Sequence, residues 1–385
     1  MFFEIAGHVA LSCSFIVYIT FCTEKTHSEK RINIHCIILN FLLNFPRVGV
    51  KLYLKVTNCY QLIKGRVSLP DIEISVVIPV KNIEKYIPAI IENLTQELTD
   101  ISMELVVVDM YSSDKTMLSA LKAIKASGQS GFVIQNGVDG LPGALNAGIF
   151  KATGKYVTFL FPRKIYKNML APYFFTAQKH HADFVFGSAP GCDTRLSAAL
   201  KSKAIKGTEV ITGVVKGIIN IDLAAVLISR ELLQKKNIFF NAASRYGFAE
   251  EFIYRLLLKT DANYQASAVL HRDTERLLPP VKQEPLGIAC FDRVEGLIKI
   301  SDLLHYSHGD GQRLYELFIY TVLPGAVFDC IDLLLREGMG YSAVKNAIRL
   351  KGYETLLVSG KTTDSQLKRK IFTWKLMPWM YKPAK

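Results

Sequence analysis

Two short stretches of the sequence carry side chains that could do chemistry. In the first, the apolar run YVTFLF leads into Pro162, Arg163 and Lys164, so two adjacent cations follow a segment with the pattern of a buried strand. Adjacent cations at a strand end suit an anionic ligand, because arginine can bind a phosphate through two parallel hydrogen bonds and lysine adds a point charge. A solvated turn is the alternative interpretation of the same residues.

The second stretch is a pair of adjacent carboxylates, Glu250 and Glu251, in the segment YGFAEEFIYRLLLK. A carboxylate can take the proton of an attacking hydroxyl group and so act as a general base. Arg255 follows Glu251 by one helical turn, so an ion pair within a single helix explains the same spacing. These residues alone do not decide between a catalytic base and a surface ion pair.

The chain has 385 residues and a formal net charge of +13, which favours an anionic partner such as a membrane surface, a nucleic acid or a phosphorylated small molecule. The sequence contains no recognition-helix signature and no interleaving of basic and aromatic residues typical of an RNA-binding sheet, so we predict no nucleic-acid binding. The 7 cysteines are odd in number and lack a C-x-x-C pair, which argues against a disulfide framework and against a structural zinc site.

The first seventy residues differ in character from the rest of the chain. Residues 5–23 carry no formal charge, and about 20 apolar residues are needed to span a bilayer. Lys25, Lys30 and Arg31 follow this segment, and the positive-inside rule then leaves the rest of the chain in the cytoplasm. We therefore predict a membrane-associating segment over residues 1–70, either a single anchor or a peripheral element, on the cytoplasmic face of the membrane.

The C-terminal stretch KRKIFTWKLMPWMYKPAK mixes lysine and arginine with Phe372, Trp374, Trp379 and Tyr381. Basic and aromatic residues in one short segment are typical of an element that lies in the membrane interface. A tail packed on the protein is the alternative interpretation.

Strands and helices alternate over residues 71–275. ISVVIPV and ELVVVDM are apolar, β-branched runs typical of strands buried on both faces, and helical spacing of apolar residues follows each. GFVIQ, YVTFLF and DFVFG predict further strands. Such alternation predicts βαβ units in a mostly parallel sheet, whereas the periodicity over residues 276–385 predicts a helical C-terminal region.

The carboxyl ends of parallel strands share one edge of the sheet, and ligands of α/β domains bind there. Three segments are expected to meet at this edge: residues 79–82, 109–114 and 161–164. The Arg163 and Lys164 pair therefore lies where an α/β domain holds its ligand.

The motifs of this region resemble a known family. ISVVIPVKNIEKYI, ELVVVDMYSSDKT and GLPGALNAGIFKATGKYVTFL resemble, in order and spacing, the donor-binding half of family 2 glycosyltransferases, which have the GT-A fold. LISRELLQKKNIFFN followed by YGFAEEFIYRLLLK resembles the acceptor half. The resemblance covers residues 72–275 and implies a mostly parallel α/β sheet flanked by helices. It also implies transfer of a sugar from a nucleotide-sugar donor to a glycan or lipid-linked acceptor.

The resemblance assigns roles to residues and also shows departures from the family pattern. In the family, the end of the first strand contacts the nucleobase, and the second strand ends in two aspartates, of which the second is Met110 here. Leu145 stands where the glycine-rich loop usually carries an arginine. The implied donor-binding residues are Val80, Asn82, Asp109, Asn146, Arg163, Lys164, His271 and Arg272.

The family's metal-binding Asp-x-Asp falls on Phe161, Pro162 and Arg163. Phenylalanine and arginine offer no oxygen ligand to Mg²⁺ or Mn²⁺, so we predict no metal cofactor, with Arg163 and Lys164 on the diphosphate instead. By the same resemblance Glu251 is the general base and Glu250 its neighbour in the acidic pair. The alternative is an inactive relative that acts as a scaffold or regulator of a partner glycosyltransferase.

Overall fold

A computed structural model describes residues 72–97, 101–137, 140–162, 170–188, 203–269, 278 and 284–383, together with residues 7–8 and 18–19. The chain divides into two compact units, Met1–Pro70 and Asp71–Lys385. In the first unit, Gly7–His8 pairs antiparallel with Tyr18–Ile19. The rest of the predicted membrane-associating segment lies outside the described residues, so the span expected over residues 5–23 stays a prediction.

The second unit is built on one sheet of 7 strands. The strands are β1 (Ile74–Val80), β2 (Met103–Asp109), β3 (Ser130–Gln135), β4 (Tyr156–Phe159), β5 (Phe184–Ser188), β6 (Val226–Ser229) and β7 (Asn263–Val269). They lie in the order β3-β2-β1-β4-β6-β5-β7. Only β6 runs antiparallel to its neighbours β4 and β5 within the described sheet; the other pairings are parallel. The predicted mostly parallel α/β sheet is therefore confirmed.

Helices cover both faces of the sheet. The apolar residues of β1 alternate between two core clusters, so that Val77 points to one face while Val76 and Ile78 point to the other. The helices are α1 (Ile87–Glu97), α2 (Thr116–Ser127), α3 (Leu141–Lys151), α4 (Leu170–His180), α5 (Gly207–Val215), α6 (Arg230–Lys235), α7 (Phe248–Leu257), α8 (Phe291–Leu304), α9 (Asp310–Leu317), α10 (Leu323–Arg336), α11 (Tyr341–Leu350) and α12 (Ser365–Leu376).

One face of the sheet packs against α1, α2 and α4, and the other against α3, α5 and α7. The predicted C-terminal helical region joins the second of these cores. Val294 and Leu297 of α8 and Val327 of α10 belong to the same apolar cluster as Val77 and Phe159 of the sheet. The α/β and helical parts therefore share one core, and residues 71–385 form one compact unit.

The stretch Asp310–Arg336 is one continuous helix, and among the described residues it alone is long and apolar enough to cross a membrane. Its apolar window is 67% buried inside the protein, as expected of a core helix. A turn of π-helix, Phe318–Val322, precedes Pro324. Pro324 has no N–H to donate to the carbonyl of Tyr320, four residues earlier, and this carbonyl accepts a hydrogen bond from the Thr363 hydroxyl at 2.5 Å.

The basic and aromatic tail is partly packed on the protein. Trp374 and Tyr381 are buried, with their rings 5.5 Å apart in an edge-to-face contact. Phe372 and Trp379 are exposed, at 59% and 70%. The expectation that all four aromatic residues serve a membrane interface is therefore wrong for Trp374 and Tyr381, because these two side chains complete the core instead.

A glycine in α3 allows this helix to lie directly on β1. A methyl group at Gly148 would overlap the side chain of Val77, so replacing this glycine forces α3 away from the sheet. Gly148→Ala should lower the free energy of unfolding by about 1–3 kcal/mol, the usual cost of overpacking. Unfolding in urea measures this change.

Gly325→Ala is the matched control, because Gly325 is also helical but has open space around the added methyl group. This variant should be neutral or more stable by up to about 1 kcal/mol, the helix propensity of alanine over glycine. A Gly148→Ala variant as stable as the wild type would contradict the close approach of α3 to β1.

Candidate functional site

Strands β1, β2 and β4 end at the same edge of the sheet. Val80 and Asp109 are register partners at the ends of β1 and β2, and the Met110 N–H donates to the Val80 carbonyl at 2.8 Å. On the other side of β1, the N–H of Leu160 donates to the carbonyl of Val77 at 2.9 Å. The structure therefore brings the first two predicted segments together with the end of β4.

Asp109 is fully buried at this edge. Its Oδ2 accepts a hydrogen bond from the Ser112 backbone N–H at 3.0 Å. Its Oδ1 is buried as well, and in the part of the chain that the structure describes this oxygen has no hydrogen-bond partner. Buried polar atoms without partners are rare in folded proteins, so this oxygen is the candidate acceptor for an N–H or O–H group of a ligand at this edge.

The loops after β1 and β2 are tied together by reciprocal hydrogen bonds. Asn82 adopts a left-handed backbone conformation, with φ of 51°. Its N–H donates to Ser112 Oγ at 2.9 Å, while its side-chain Oδ1 accepts from the Ser113 N–H at 2.8 Å. Because Ser112 also donates to Asp109, this network fixes the Asp109 carboxylate in one orientation.

A second group of bonds joins the same loops one turn further on. Asp114 Oδ1 accepts from the Thr116 N–H at 2.9 Å, and Oδ2 accepts from the Glu84 N–H at 3.1 Å. The Thr116 hydroxyl also donates to Asp114 and accepts from the Ile83 N–H at 2.8 Å. Partial burial raises the pKa of Asp114, but these bonds outweigh it and hold the pKa below its ordinary value. Helix α2 begins at Thr116, with Lys115 at its N-cap position.

Asn146 lies in α3 and binds the backbone of the segment that follows α6. Its Nδ2 donates to the Phe240 carbonyl at 2.9 Å, and its Oδ1 accepts from the Phe240 N–H at 2.8 Å. Both polar groups of the side chain are thus engaged within the protein, which accounts for this asparagine without a ligand. Its predicted contact with a donor stays a prediction.

The residues that depart from the family pattern pack against the core. Leu145 is fully buried, and Met110 and Phe161 are half-buried against the same apolar cluster. Phe161 also contacts the cluster on the opposite face of the sheet. The described residues contain no group of three or more His, Cys, Asp and Glu side chains placed to hold a metal ion. Phe161, which stands at the first position of the family's metal-binding motif, therefore makes an apolar contact at this edge.

Glu251, the predicted general base, is held by an arginine. Arg255 donates from Nε to Oε1 at 2.8 Å and from Nη2 to Oε2 at 3.1 Å, so the ion pair is bidentate. The Glu251 side chain is 8% exposed. Helix α8 covers it at Gly296, where an added Cβ would lie 3.2 Å from Glu251 Cβ. The ion pair with Arg255 that the sequence offered as the alternative is present, but Glu251 is buried rather than on the surface.

Glu250 is held by a second arginine, from α8. Arg293 donates from Nε to Glu250 Oε2 at 2.6 Å and from Nη1 to Asp329 at 2.7 Å. Burial alone would lower the pKa of Arg293, but these two carboxylates raise it above its ordinary value. The Tyr254 hydroxyl donates to Glu250. The pKa of Tyr254 is raised, mainly by burial and in second place by the charge of Glu250. The acidic pair therefore joins the α/β part to the C-terminal helices.

No pattern in the sequence marks Arg293 or Ser112 as a residue of the site. Arg293 is 43 residues from Glu250 along the chain, and only the folded contact of α7 with α8 brings them together. Four predicted diphosphate contacts, Arg163, Lys164, His271 and Arg272, lie outside the described residues and stay predictions.

Comparison with known proteins supports the family assignment. Residues 75–161 match the family described as glycosyl transferase family 2. No curated protein matches the sequence. Among solved structures, the chain is similar to S. aureus TarS 1-349, with 14% identity, a TM-score of 0.52, and coverage of 79% of this chain and 87% of that chain. The same fragment in complex with UDP gives 14% identity, a TM-score of 0.50, and coverage of 80% and 93%.

A weaker likeness is to glucosyl-3-phosphoglycerate synthase from Mycobacterium tuberculosis, with 21% identity, a TM-score of 0.40, and coverage of 59% of this chain and 79% of that chain. Identities this low show the fold alone. The family match over residues 75–161 and the shared fold together confirm the predicted resemblance to family 2 glycosyltransferases and the GT-A architecture.

The bonds of Asp114 generate a prediction about stability and pH. Asp114→Ala should lower the free energy of unfolding by about 1 kcal/mol at neutral pH, as expected for loss of side-chain hydrogen bonds that join the two loops. The folded pKa of Asp114 lies below its ordinary value of 3.8, so its stabilisation is present above that value and is lost as the pH falls through the folded pKa. The difference between wild type and variant should therefore vanish in strong acid.

Asp261→Ala serves as the control, since Asp261 is exposed and the described structure gives its side chain no hydrogen bond. Urea unfolding at several pH values measures both variants. An equal effect of the two substitutions at neutral pH would show that the bonds between the loops contribute nothing.

Proposed function

We propose that the chain transfers a sugar from a nucleotide-sugar donor to a glycan or lipid-linked acceptor, and the match of residues 75–161 to glycosyl transferase family 2, together with the GT-A-like fold, supports this. We place this reaction at the cytoplasmic face of a membrane, on the strength of the apolar N-terminal segment and the net charge of +13. The observation that carries the proposal is the buried Oδ1 of Asp109 at the carboxyl edge of the sheet, which has no hydrogen-bond partner among the described residues.

Asp109 would bind the nucleotide part of the donor. Its free oxygen can accept one N–H or O–H from a base or a ribose, and a hydrogen bond to a charged group is worth about 1.5–3 kcal/mol. The bonds among Asp109, Ser112 and Asn82 fix the carboxylate before the ligand arrives, so little ordering entropy is lost on binding. The complex of TarS 1-349 with UDP supports a uridine nucleotide as the first ligand to test.

Arg163 and Lys164 would stabilise the diphosphate as it leaves, in the place of a divalent ion. They follow directly after Phe161, whose side chain packs on the core and offers no ligand atom to a metal. One fixed cation about 4 Å from a phosphate oxygen contributes ~4 kcal/mol at an effective dielectric constant of about 20. His271 and Arg272 are the other cationic candidates for this role.

Glu251 would take the proton from the acceptor hydroxyl. Its bidentate pair with Arg255 holds the carboxylate in one orientation, which a positioned base requires. The same pair opposes proton transfer, since the carboxylate must give up part of a strong ion pair to accept a proton. Release of one carboxylate oxygen from Arg255 on acceptor binding reconciles these two demands.

A second candidate function is a non-catalytic relative that binds the donor and serves as a scaffold or regulator of a partner glycosyltransferase. The observation that favours it is the commitment of both members of the acidic pair: Glu251 to Arg255, and Glu250 to Arg293. In that case these residues only join the C-terminal helices to the α/β part.

The donor site predicts an effect of Asp109 on nucleotide binding. In Asp109→Asn, the remaining side-chain oxygen can still accept the hydrogen bond from Ser112, and an NH₂ group then replaces the oxygen that is proposed to face the ligand. Because this group donates instead of accepting, UDP affinity should fall at least tenfold. Isothermal titration with UDP measures this change. Asp183→Asn is the control. It removes one carboxylate charge just before the amino-terminal end of β5, at the other edge of the sheet from Asp109, and should leave the UDP affinity unchanged. Equal affinities of wild type and Asp109→Asn would contradict the assignment.

The replacement of the family's metal-binding motif by Phe161, Pro162 and Arg163 predicts that turnover survives a chelator. Donor hydrolysis from a panel of UDP-sugars should proceed equally with and without EDTA, and a double variant Arg163→Ala, Lys164→Ala should lose at least about a hundredfold in rate. The matched control is Lys122→Ala, Lys125→Ala, which removes two exposed cations from α2. A requirement for added Mn²⁺ would contradict the metal-free mechanism.

The same assay separates the two candidate functions. Hydrolysis that is lost in Glu251→Gln while UDP still binds supports the transferase with Glu251 as base. UDP binding without turnover in the wild type supports the scaffold.

A further inference from the structure

The outward side of α12 and the turn after it expose large apolar side chains. The buried side chains of this helix, Leu367, Ile371 and Trp374, face the core. The apolar residues that point outward are between 57% and 70% exposed and lie within nine positions of one another. They are Phe372, Leu376, Trp379 and Met380. Scattered single apolar residues are normal on a protein surface, but four in one short segment mark an interaction site.

Cations surround these apolar residues on the same segment. Lys370 is engaged with the buried Asp332, at 3.2 Å. The other cations of the segment are exposed, and none of them forms an ion pair within the part of the chain that the structure describes. They are Lys368, Arg369, Lys375 and Lys382. We call these four cations and the four apolar residues the cationic apolar face.

The fold holds this face in place from both sides. Trp374 is buried before the turn, and Tyr381 is buried after it. The Tyr381 hydroxyl donates to Asp332 at 2.6 Å, and its ring stacks on Phe328 at 5.5 Å. Trp379 lies between these two anchors and remains exposed. A ligand of this face therefore meets an ordered surface rather than a free tail, and binding costs less conformational entropy.

We propose that the cationic apolar face binds the surface of an anionic phospholipid bilayer. Lysine and arginine side chains are attracted to anionic head groups, while phenylalanine, leucine and tryptophan insert at the boundary of the acyl chains. A protein partner would be expected to bury the centre of the face without charge, whereas here cations alternate with apolar residues along the same turns. The inference rests on the part of the proposed function that sets the reaction at a membrane.

The chain provides its own probe, because it has only 2 tryptophans. Trp374 is 2% exposed and Trp379 is 70% exposed, so a change in emission on addition of vesicles reports on Trp379. With the full chain and vesicles of phosphatidylcholine containing phosphatidylglycerol, we expect a blue shift and quenching by brominated lipid. The Trp379→Phe variant, in which only Trp374 emits, should show neither.

A double variant tests whether the cations of the face act, and a control variant changes an exposed aromatic residue elsewhere. Lys368→Gln with Lys375→Gln should weaken the vesicle titration by about fivefold for each cation removed, and raised salt should also weaken it. Phe150→Ser removes an aromatic residue that is 67% exposed elsewhere on the protein and should leave the titration unchanged.

Three outcomes would overturn the proposal. The first is unchanged Trp379 emission while the protein sediments with vesicles, which assigns membrane binding to another segment. The second is an equal response to vesicles of phosphatidylcholine alone, and the third is a blue shift that follows protein concentration without lipid, which assigns the face to a second copy of the chain. UDP binding is measured separately, so loss of donor binding would not affect this result.

Discussion

The candidate site depends on one buried carboxylate that is only half satisfied. Asp109 ends a strand that is buried on both faces, and Ser112 binds one of its oxygens while the other has no partner among the described residues. A charge in such a position is costly unless something binds it, so the surrounding structure has to hold it there. The bonds between the loops after β1 and β2, and the close contact of α3 with β1, supply that support.

Around this carboxylate the fold keeps its architecture while the side chains have changed in chemistry. Met110, Leu145 and Phe161 replace polar residues of the family pattern with apolar contacts to the core. The acidic pair of α7 remains but is bound by Arg255 and Arg293, so it also joins the α/β part to the C-terminal helices. The apolar replacements agree with the proposed binding of a donor without a metal. The ion pairs make the position of the proposed base, Glu251, depend on how α8 packs on α7.

The sequence predicted those features whose physics is local. Continuous β-branched runs predicted β1 and β2, and helical spacing predicted α8, because burial on both faces or on one stripe leaves a periodic pattern. Strands β6 and β7 were not predicted: β6 has four residues, and β7, NYQASAV, contains polar residues within a strand. The binding of Asn146 to Phe240 and of Glu250 to Arg293 depends on residues far apart in the chain, which no local pattern reveals. The sequence of the C-terminal tail likewise does not reveal which tryptophan faces the core. Only the fold shows that Trp374 is buried and Trp379 is exposed.

The account depends most directly on where the free oxygen of Asp109 points when a nucleotide is bound. A crystal structure of the full chain soaked with UDP measures this as the distance from Asp109 Oδ1 to the nearest ligand nitrogen or oxygen. We expect a hydrogen bond of about 2.6–3.2 Å, with Ser112 still bound to Oδ2. UDP seated elsewhere, or at this edge without a contact to Asp109, would contradict the account.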